Sequence, residues 1–146
     1  MSQRPEPNPA CESGPSNGRA TAAPLVYVVD DREANAELVA ACLEARGYRI
    51  RKFREAEAAL LELSTSLTKP SLLISDFSMP KMDGLQLMRR SKQYLPGLKV
   101  ILVTGSLDKH LLQEAGLGVD AVLDKPTSPS KLVGAVEGLI GRVPGT

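Results

Sequence analysis

Ser71-Leu-Leu-Ile-Ser-Asp76-Phe-Ser-Met-Pro80-Lys-Met-Asp-Gly84 is an apolar run that ends in a lone carboxylate and then in turn chemistry. Leu72, Leu73 and Ile74 show no polar alternation, the pattern of a strand covered on both faces and hence of a parallel sheet. Met79-Pro80 stops strand and helix alike, because proline lacks a donor and restricts the residue before it. Asp83-Gly84 opens a helix. Asp76 is therefore expected on a loop at the carboxyl edge of a sheet, where open α/β folds hold their ligands.

The same signature recurs outward from this stretch. Leu25–Val29 is a buried-strand run ending in Asp30-Asp31, Val100–Val103 ends in Thr104-Gly105-Ser106, and Ala121–Leu123 ends in Asp124-Lys125-Pro126. Arg49–Phe53 is short and charged, which suits a sheet edge. Helices are predicted between these runs. Glu33–Arg46 has a stripe of Leu38, Cys42 and Ala45 beside Val39 and Leu43, with Gly47 as a left-handed stop. Glu55–Leu67 follows, with Ala56, Ala59, Leu60, Leu63 and Leu67 in phase. Gly84–Tyr94 is closed by Pro96-Gly97, and Leu107–Ala115 is short with a weaker stripe. The last helix starts at Ser128-Pro129 and repeats Leu132, Val136, Leu139 and Val143. Five strands alternating with five helices predict an α/β fold, a parallel sheet with helices on both faces.

At 146 residues the chain fits one domain, read as residues 24–143 with a proline-rich, disordered tail at 1–23 and a short end at 144–146. A net charge of +1 provides no basic field for nucleic acid, and no apolar run approaches the length of a membrane span. Neither a nucleic-acid nor a membrane partner is therefore expected. Cys11 and Cys42 make no metal or redox spacing, which fits a reducing, cytoplasmic setting.

Alternation brings the carboxyl ends of all strands to one rim. That rim gathers Asp30, Asp31, Asp76, Thr104 and Lys125, an acidic pocket with a hydroxyl and a cation that core packing does not require. Clustered carboxylates repel, and a hard divalent cation with oxygen ligands relieves the repulsion.

Over residues 24–143 the chain resembles the receiver domain of two-component response regulators, most like the stand-alone, chemotaxis-regulator type. The resemblance rests on Asp30-Asp31, on Asp76-Phe-Ser-Met-Pro-Lys-Met-Asp-Gly84, on Val103-Thr104-Gly105 and on Lys125-Pro126, in order and at the family's spacing. It implies a flavodoxin-like sheet of order 2-1-3-4-5. It also implies Mg²⁺ held by Asp30 or Asp31, by Asp76 and by the backbone carbonyl of Ser78. Asp76 would be the phosphorylated nucleophile, Lys125 would stabilise the transferring group, and Thr104 would act as the switch. The expected donor is a sensor histidine kinase or a histidine phosphotransfer protein. The expected output is a protein target on the face made by the fourth helix, fifth strand and fifth helix, near His110 and Lys131. Many family members carry an aromatic residue at the second switch position, and here it is Val122.

No independent enzyme is expected beyond self-catalysed phosphotransfer and dephosphorylation. A receiver fold acting as a phosphorylation-independent adaptor is the alternative, and Val122 supports it. An aspartate-based phosphohydrolase lacks support, since position 78 is serine where a second aspartate is needed and no cap insertion is present.

Overall fold

Unbroken aliphatic runs need cover on both sides, and the chain provides it with helices. The computed structural model describes residues 23–105 and 118–144. Strands β1 (Leu25–Val29), β2 (Arg49–Phe53), β3 (Leu72–Asp76), β4 (Lys99–Thr104) and β5 (Ala121–Asp124) pair in parallel in the order β2-β1-β3-β4-β5. This is the order that the resemblance implied. Four helices are present among the described residues: α1 (Glu33–Glu44), α2 (Ala56–Thr65), α3 (Gly84–Tyr94) and α4 (Pro129–Ile140). The predicted helix Leu107–Ala115 lies outside the described residues, as does His110.

Side chains along each inner strand alternate between two cores. Tyr27, Val29, Leu73, Val100 and Leu102 pack with α2 and α3, through Ala59, Leu63, Leu87 and Met88. Val26, Val28, Leu72, Ile74 and Ile101 face the other way, onto Ala36 and Leu43 of α1 and Val133 and Val136 of α4. Strand β2 is at an edge and keeps Arg49, Arg51 and Lys52 in solvent, with Arg51 paired to Glu62 at 3.0 Å. Charge there discourages pairing with another sheet.

Helix ends follow their chemistry where a cap exists. Asp83 and Gln86 form a reciprocal capping box at α3: the Gln86 amide donates to Asp83 Oδ1 at 2.8 Å, and the Asp83 amide donates to Gln86 Oε1 at 3.1 Å. Ser128 caps α4 by accepting from the Lys131 amide, with Pro129 in the first turn. Gly47 has φ 93°, the left-handed stop expected after α1.

Several boundaries and faces differ from the sequence-based expectations. Helix α1 ends at Glu44, and its buried stripe is Ala36, Ala40 and Leu43, whereas Leu38 is 65% exposed. Small residues let the helix lie close to the sheet, so the larger Leu38 turns outward. Helix α2 ends at Thr65, and Leu67 is wholly exposed because Ser66 leaves helical geometry. Val143 lies beyond α4. Asp76, Thr104 and Asp124 are the last residues of their strands rather than loop residues.

The hydroxyl of Tyr27 is buried and makes no hydrogen bond among the described residues. Its ring packs on Phe53 with centroids 4.8 Å apart, and burial pushes its phenol pKa up. Tyr27→Phe keeps the ring and removes an unsatisfied donor, so chemical denaturation should show a gain of about 1 kcal/mol. A loss of stability would show that the hydroxyl is satisfied in solution.

Candidate functional site

Strand register assembles the rim. Asp76 closes β3 between the ends of β1 and β4, paired with Val103, and is only 5% exposed. Asp30, next after β1, is also buried, and Asp31 is half-buried. One oxygen from each of Asp30, Asp31 and Asp76 lies within 4.8 Å of the others. Opposite them Lys125 places Nζ 2.7 Å from Asp76 Oδ1. That oxygen has no hydrogen bond among the described residues, so the ammonium compensates its charge from an angle poor for donation.

Two backbone contacts fix this arrangement. The Arg32 amide donates to Asp30 Oδ1 at 2.9 Å, and the Lys125 amide donates to the Thr104 carbonyl at 2.9 Å. The Lys125–Pro126 peptide is cis. Gly84 packs against the back of the acidic strand end, where a Cβ would stand 2.7 Å from the Asp76 carbonyl oxygen.

Burial pushes the Asp30 carboxyl above the ordinary carboxylate range, and the charges of Asp76 and Asp31 add to the shift. The Arg32 amide and Lys125 oppose it. Two buried carboxylates, a third beside them and a buried oxygen lacking a hydrogen bond make a donor set that suits a hard divalent cation.

The sequence profile of the response regulator receiver domain matches residues 26–137. The chain belongs to the response regulator receiver family. It is 35% identical over 117 residues to the response regulator receiver protein CpdR of Brucella abortus, covering 80% of this chain and 95% of that one. It is 31% identical over 120 residues to the alkaline phosphatase synthesis transcriptional regulatory protein PhoP of Bacillus subtilis, covering 80% of this chain and 48% of that one. The receiver thus spans about half the length of PhoP. Among solved structures, the signal receiver domain of a signal transduction histidine kinase from Syntrophus aciditrophicus superimposes with a TM-score of 0.72 at 34% identity, covering 85% of this chain and 95% of that one.

In this receiver Asp30, Asp31, Asp76, Ser78, Thr104, Val122 and Lys125 all fall within the described residues, whereas His110 does not. Thr104 is buried at the end of β4. Val122 stands beside Leu102 in the strand register and packs on the core shared with α2 and α3. Ser78 is exposed, and its carbonyl accepts no hydrogen bond among the described residues. Lys131 is exposed on α4. No helix among the described residues is long and apolar enough to cross a membrane.

Sequence reasoning missed the cavity beside these groups. About 390 Å³ in volume, it is lined by Asp30, Asp76 and Lys125 and also by Arg32, Asn35, Leu38 and Thr127. The outward turn of Leu38 was the missing signal, and it depends on how closely α1 approaches the sheet.

Because the folded receiver holds the Asp30 proton more tightly than the unfolded chain, stability falls as pH rises through the window from the ordinary carboxylate range to the folded pKa. Above that window the penalty is present in full. Asp30→Asn keeps the acceptor for the Arg32 amide and removes the charge. Without divalent ions at pH 7 it should raise Tm by about 3–5 °C, equivalent to about 1 kcal/mol. The gain should vanish below the carboxylate range. A Tm difference independent of pH would contradict the electrostatic origin.

Proposed function

We propose that this receiver accepts a phosphoryl group on Asp76 from a phosphohistidine of a sensor histidine kinase or histidine phosphotransfer protein. The observation that carries the reading is the convergence of Asp30, Asp31 and Asp76 within 4.8 Å, with Lys125 Nζ 2.7 Å from the Asp76 carboxylate. The unit is taken as residues 24–143, working in the cytoplasm, with residues 1–23 and 144–146 outside it.

Asp30, Asp31 and Asp76, with the Ser78 backbone carbonyl, would hold Mg²⁺. When bound, Mg²⁺ supplies charge that lets an anionic carboxylate approach an anionic phosphoryl group. Asp76 attacks phosphorus in line, the bond to the donor nitrogen breaks, and the imidazole leaves with the electron pair. Lys125 neutralises phosphoryl oxygens as they turn from the donor. Its 37% side-chain exposure leaves the ammonium room to follow them.

Thr104 reads the result. A charge-assisted hydrogen bond from its hydroxyl to a phosphoryl oxygen is worth about 1.5–3 kcal/mol, which shifts a two-state population roughly ten- to over a hundred-fold. Output then passes to a protein target over the face made by the predicted helix at 107–115, β5 and α4, which includes Lys131. Val122, partly buried against the core, carries no ring to rotate and favours the adaptor alternative at this one position.

Incubation with Mg²⁺ and acetyl phosphate tests the reading by intact-mass spectrometry. The expected result is a gain of one phosphoryl group that EDTA prevents. An inert protein, folded and metal-loaded, would leave the adaptor. Continuous release of phosphate from several esters would point to a hydrolase.

A further inference from the structure

Charge is unevenly spread along the chain. The run Arg46-Gly-Tyr-Arg-Ile-Arg-Lys-Phe-Arg54 holds five of its 18 cationic side chains and no acidic one, which leaves the rest of the sequence net acidic. Folding lays this run along β2, the outer strand at the edge of the sheet opposite β5. Arg46, Arg49, Arg51, Lys52 and Arg54 are all exposed. Arg51 is held in place, paired to Glu62 at 3.0 Å with its guanidinium carbon 5.7 Å from the centre of the Phe53 ring, and Arg49 Nε donates to the Ala23 carbonyl at 2.8 Å. Arg46, Lys52 and Arg54 form no ion pair among the described residues.

The backbone of the same strand is open on its outer side. The Arg49 amide donates to the Pro24 carbonyl and the Phe53 carbonyl accepts from the Asp30 amide, both at 3.0 Å, so Arg49, Arg51 and Phe53 turn their peptide groups toward β1. Alternation then directs the amides and carbonyls of Ile50 and Lys52 outward, and neither residue has a hydrogen-bond partner on that side among the described residues. The five residues of β2 span about 16 Å, the length over which an extended segment adds to the sheet. Cations along that edge repel a second copy of the same strand and attract a segment of opposite charge. The strip is also narrow. Exposed Glu44 bounds it at the end of α1, and exposed Glu55 and Glu57 bound it at the start of α2, which suits one extended chain better than the broad anionic field of a membrane or a duplex. Tyr48 and Phe53, the aromatic residues of the run, are buried and offer no ring for stacking a nucleic-acid base.

We propose that the β2 edge is a docking site for an extended acidic segment of a partner protein, added to the sheet as a sixth strand. Backbone hydrogen bonds to Ile50 and Lys52 fix the segment, and its carboxylates select the site through the cations. Side-chain alternation assigns these contacts. Carboxylates on the side of α2 face Arg49 and Arg51, which share the phase of Phe53, and those on the side of α1 face Lys52, which shares the phase of Ile50. Arg46 and Arg54 extend the strip beyond the two ends of the strand. None of these residues lines the cavity beside Asp76, so docking does not depend on Asp76 being the acceptor.

The test uses the full chain and a short peptide of alternating glutamate and threonine, blocked at both ends, with amide exchange read by NMR. At ten times its Kd the peptide should slow exchange of the Ile50 and Lys52 amides about ten-fold and leave the Arg49 and Arg51 amides, already turned to β1, nearly unchanged. Lys52→Gln should weaken binding about two- to five-fold, the range for one exposed charge. Lys52→Pro removes an outward donor where an edge strand tolerates proline, and should weaken binding more than Lys52→Gln does. A peptide with lysine in place of glutamate should leave all four amides unprotected. Equal protection of inward and outward amides, or binding of the lysine peptide as tight as that of the glutamate peptide, would overturn the proposal. Displacement of the glutamate peptide by single-stranded DNA or by phosphatidylserine vesicles at lower concentration than the peptide itself would assign the strip to a nucleic acid or a membrane, and overturn it too.

Discussion

Asp76→Asn is expected to take up no phosphoryl group from any donor, a rate loss on the order of a thousand-fold or more, because an amide is a far weaker nucleophile than a carboxylate. The substitution is nearly isosteric at a site 5% exposed, so packing is preserved. Its structural cost is small for a specific reason: Asp76 Oδ1 makes no hydrogen bond among the described residues, and Lys125 can turn to solvent when its partner charge is removed. Removing one of three clustered carboxylates also reduces repulsion on Asp30. Stability within about 1 kcal/mol of wild type is therefore expected in the absence of metal. Intact-mass spectrometry after acetyl phosphate treatment gives the direct readout. Phosphorylation that persists in Asp76→Asn would move the acceptor to another residue and sink the assignment.

Gly84→Ala should have the largest effect on stability. An added Cβ would lie 2.7 Å from the Asp76 carbonyl oxygen and 3.0 Å from the Phe77 Cα, both backbone atoms, and 3.0 Å from Leu102 Cδ2. A flexible side chain yields cheaply to such a contact, but a strand end held in its ladder does not. The Asp76 carbonyl already accepts from Ser75 Oγ at 2.9 Å, and the Gly84 amide donates to the Phe77 carbonyl at 2.8 Å. The helix must therefore move away from the sheet or the end of β3 must bend. A loss of about 2–3 kcal/mol follows, seen as a fall in Tm of about 6–12 °C. Because the same peptide carries the Asp76 side chain, phosphorylation should slow in the folded fraction as well. An unchanged Tm would mean that the close approach relaxes without cost.

The strand ends were legible because each unbroken aliphatic run is followed at once by a polar residue, and alternation along the chain sends these ends to one rim. Asp30, Asp31, Asp76, Thr104 and Lys125 are all read off the sequence in this way. That Asp76 belongs to the ladder was missed, since polarity alone was taken to end the strand, whereas its pairing with Val103 continues. The buried face of α1 was misread for a related reason. Glu33–Glu44 offers alanines at several helical phases, and the bulk of Leu38 pointed to the wrong one, while close contact with the sheet selects Ala36 and Ala40. Gly84 was legible as a helix opener, but the reason it must be glycine comes from a neighbouring strand. Thr127 joins Arg32 and Asn35 beside the acidic rim only through tertiary packing, and no local pattern announces that meeting.

The alternation of side chains across the central sheet separates two tasks. The cavity holding Arg32 and Leu38 includes Val28 and Ile74, which belong to the core beneath α1 and α4. Val122 packs with Leu102 on the side of α2 and α3. The cavity beside Asp76 and the second switch position, Val122, thus lie on reverse faces of a barrier one residue thick. A change of side chain at Val122 should therefore alter the switch while leaving the walls of that cavity in place.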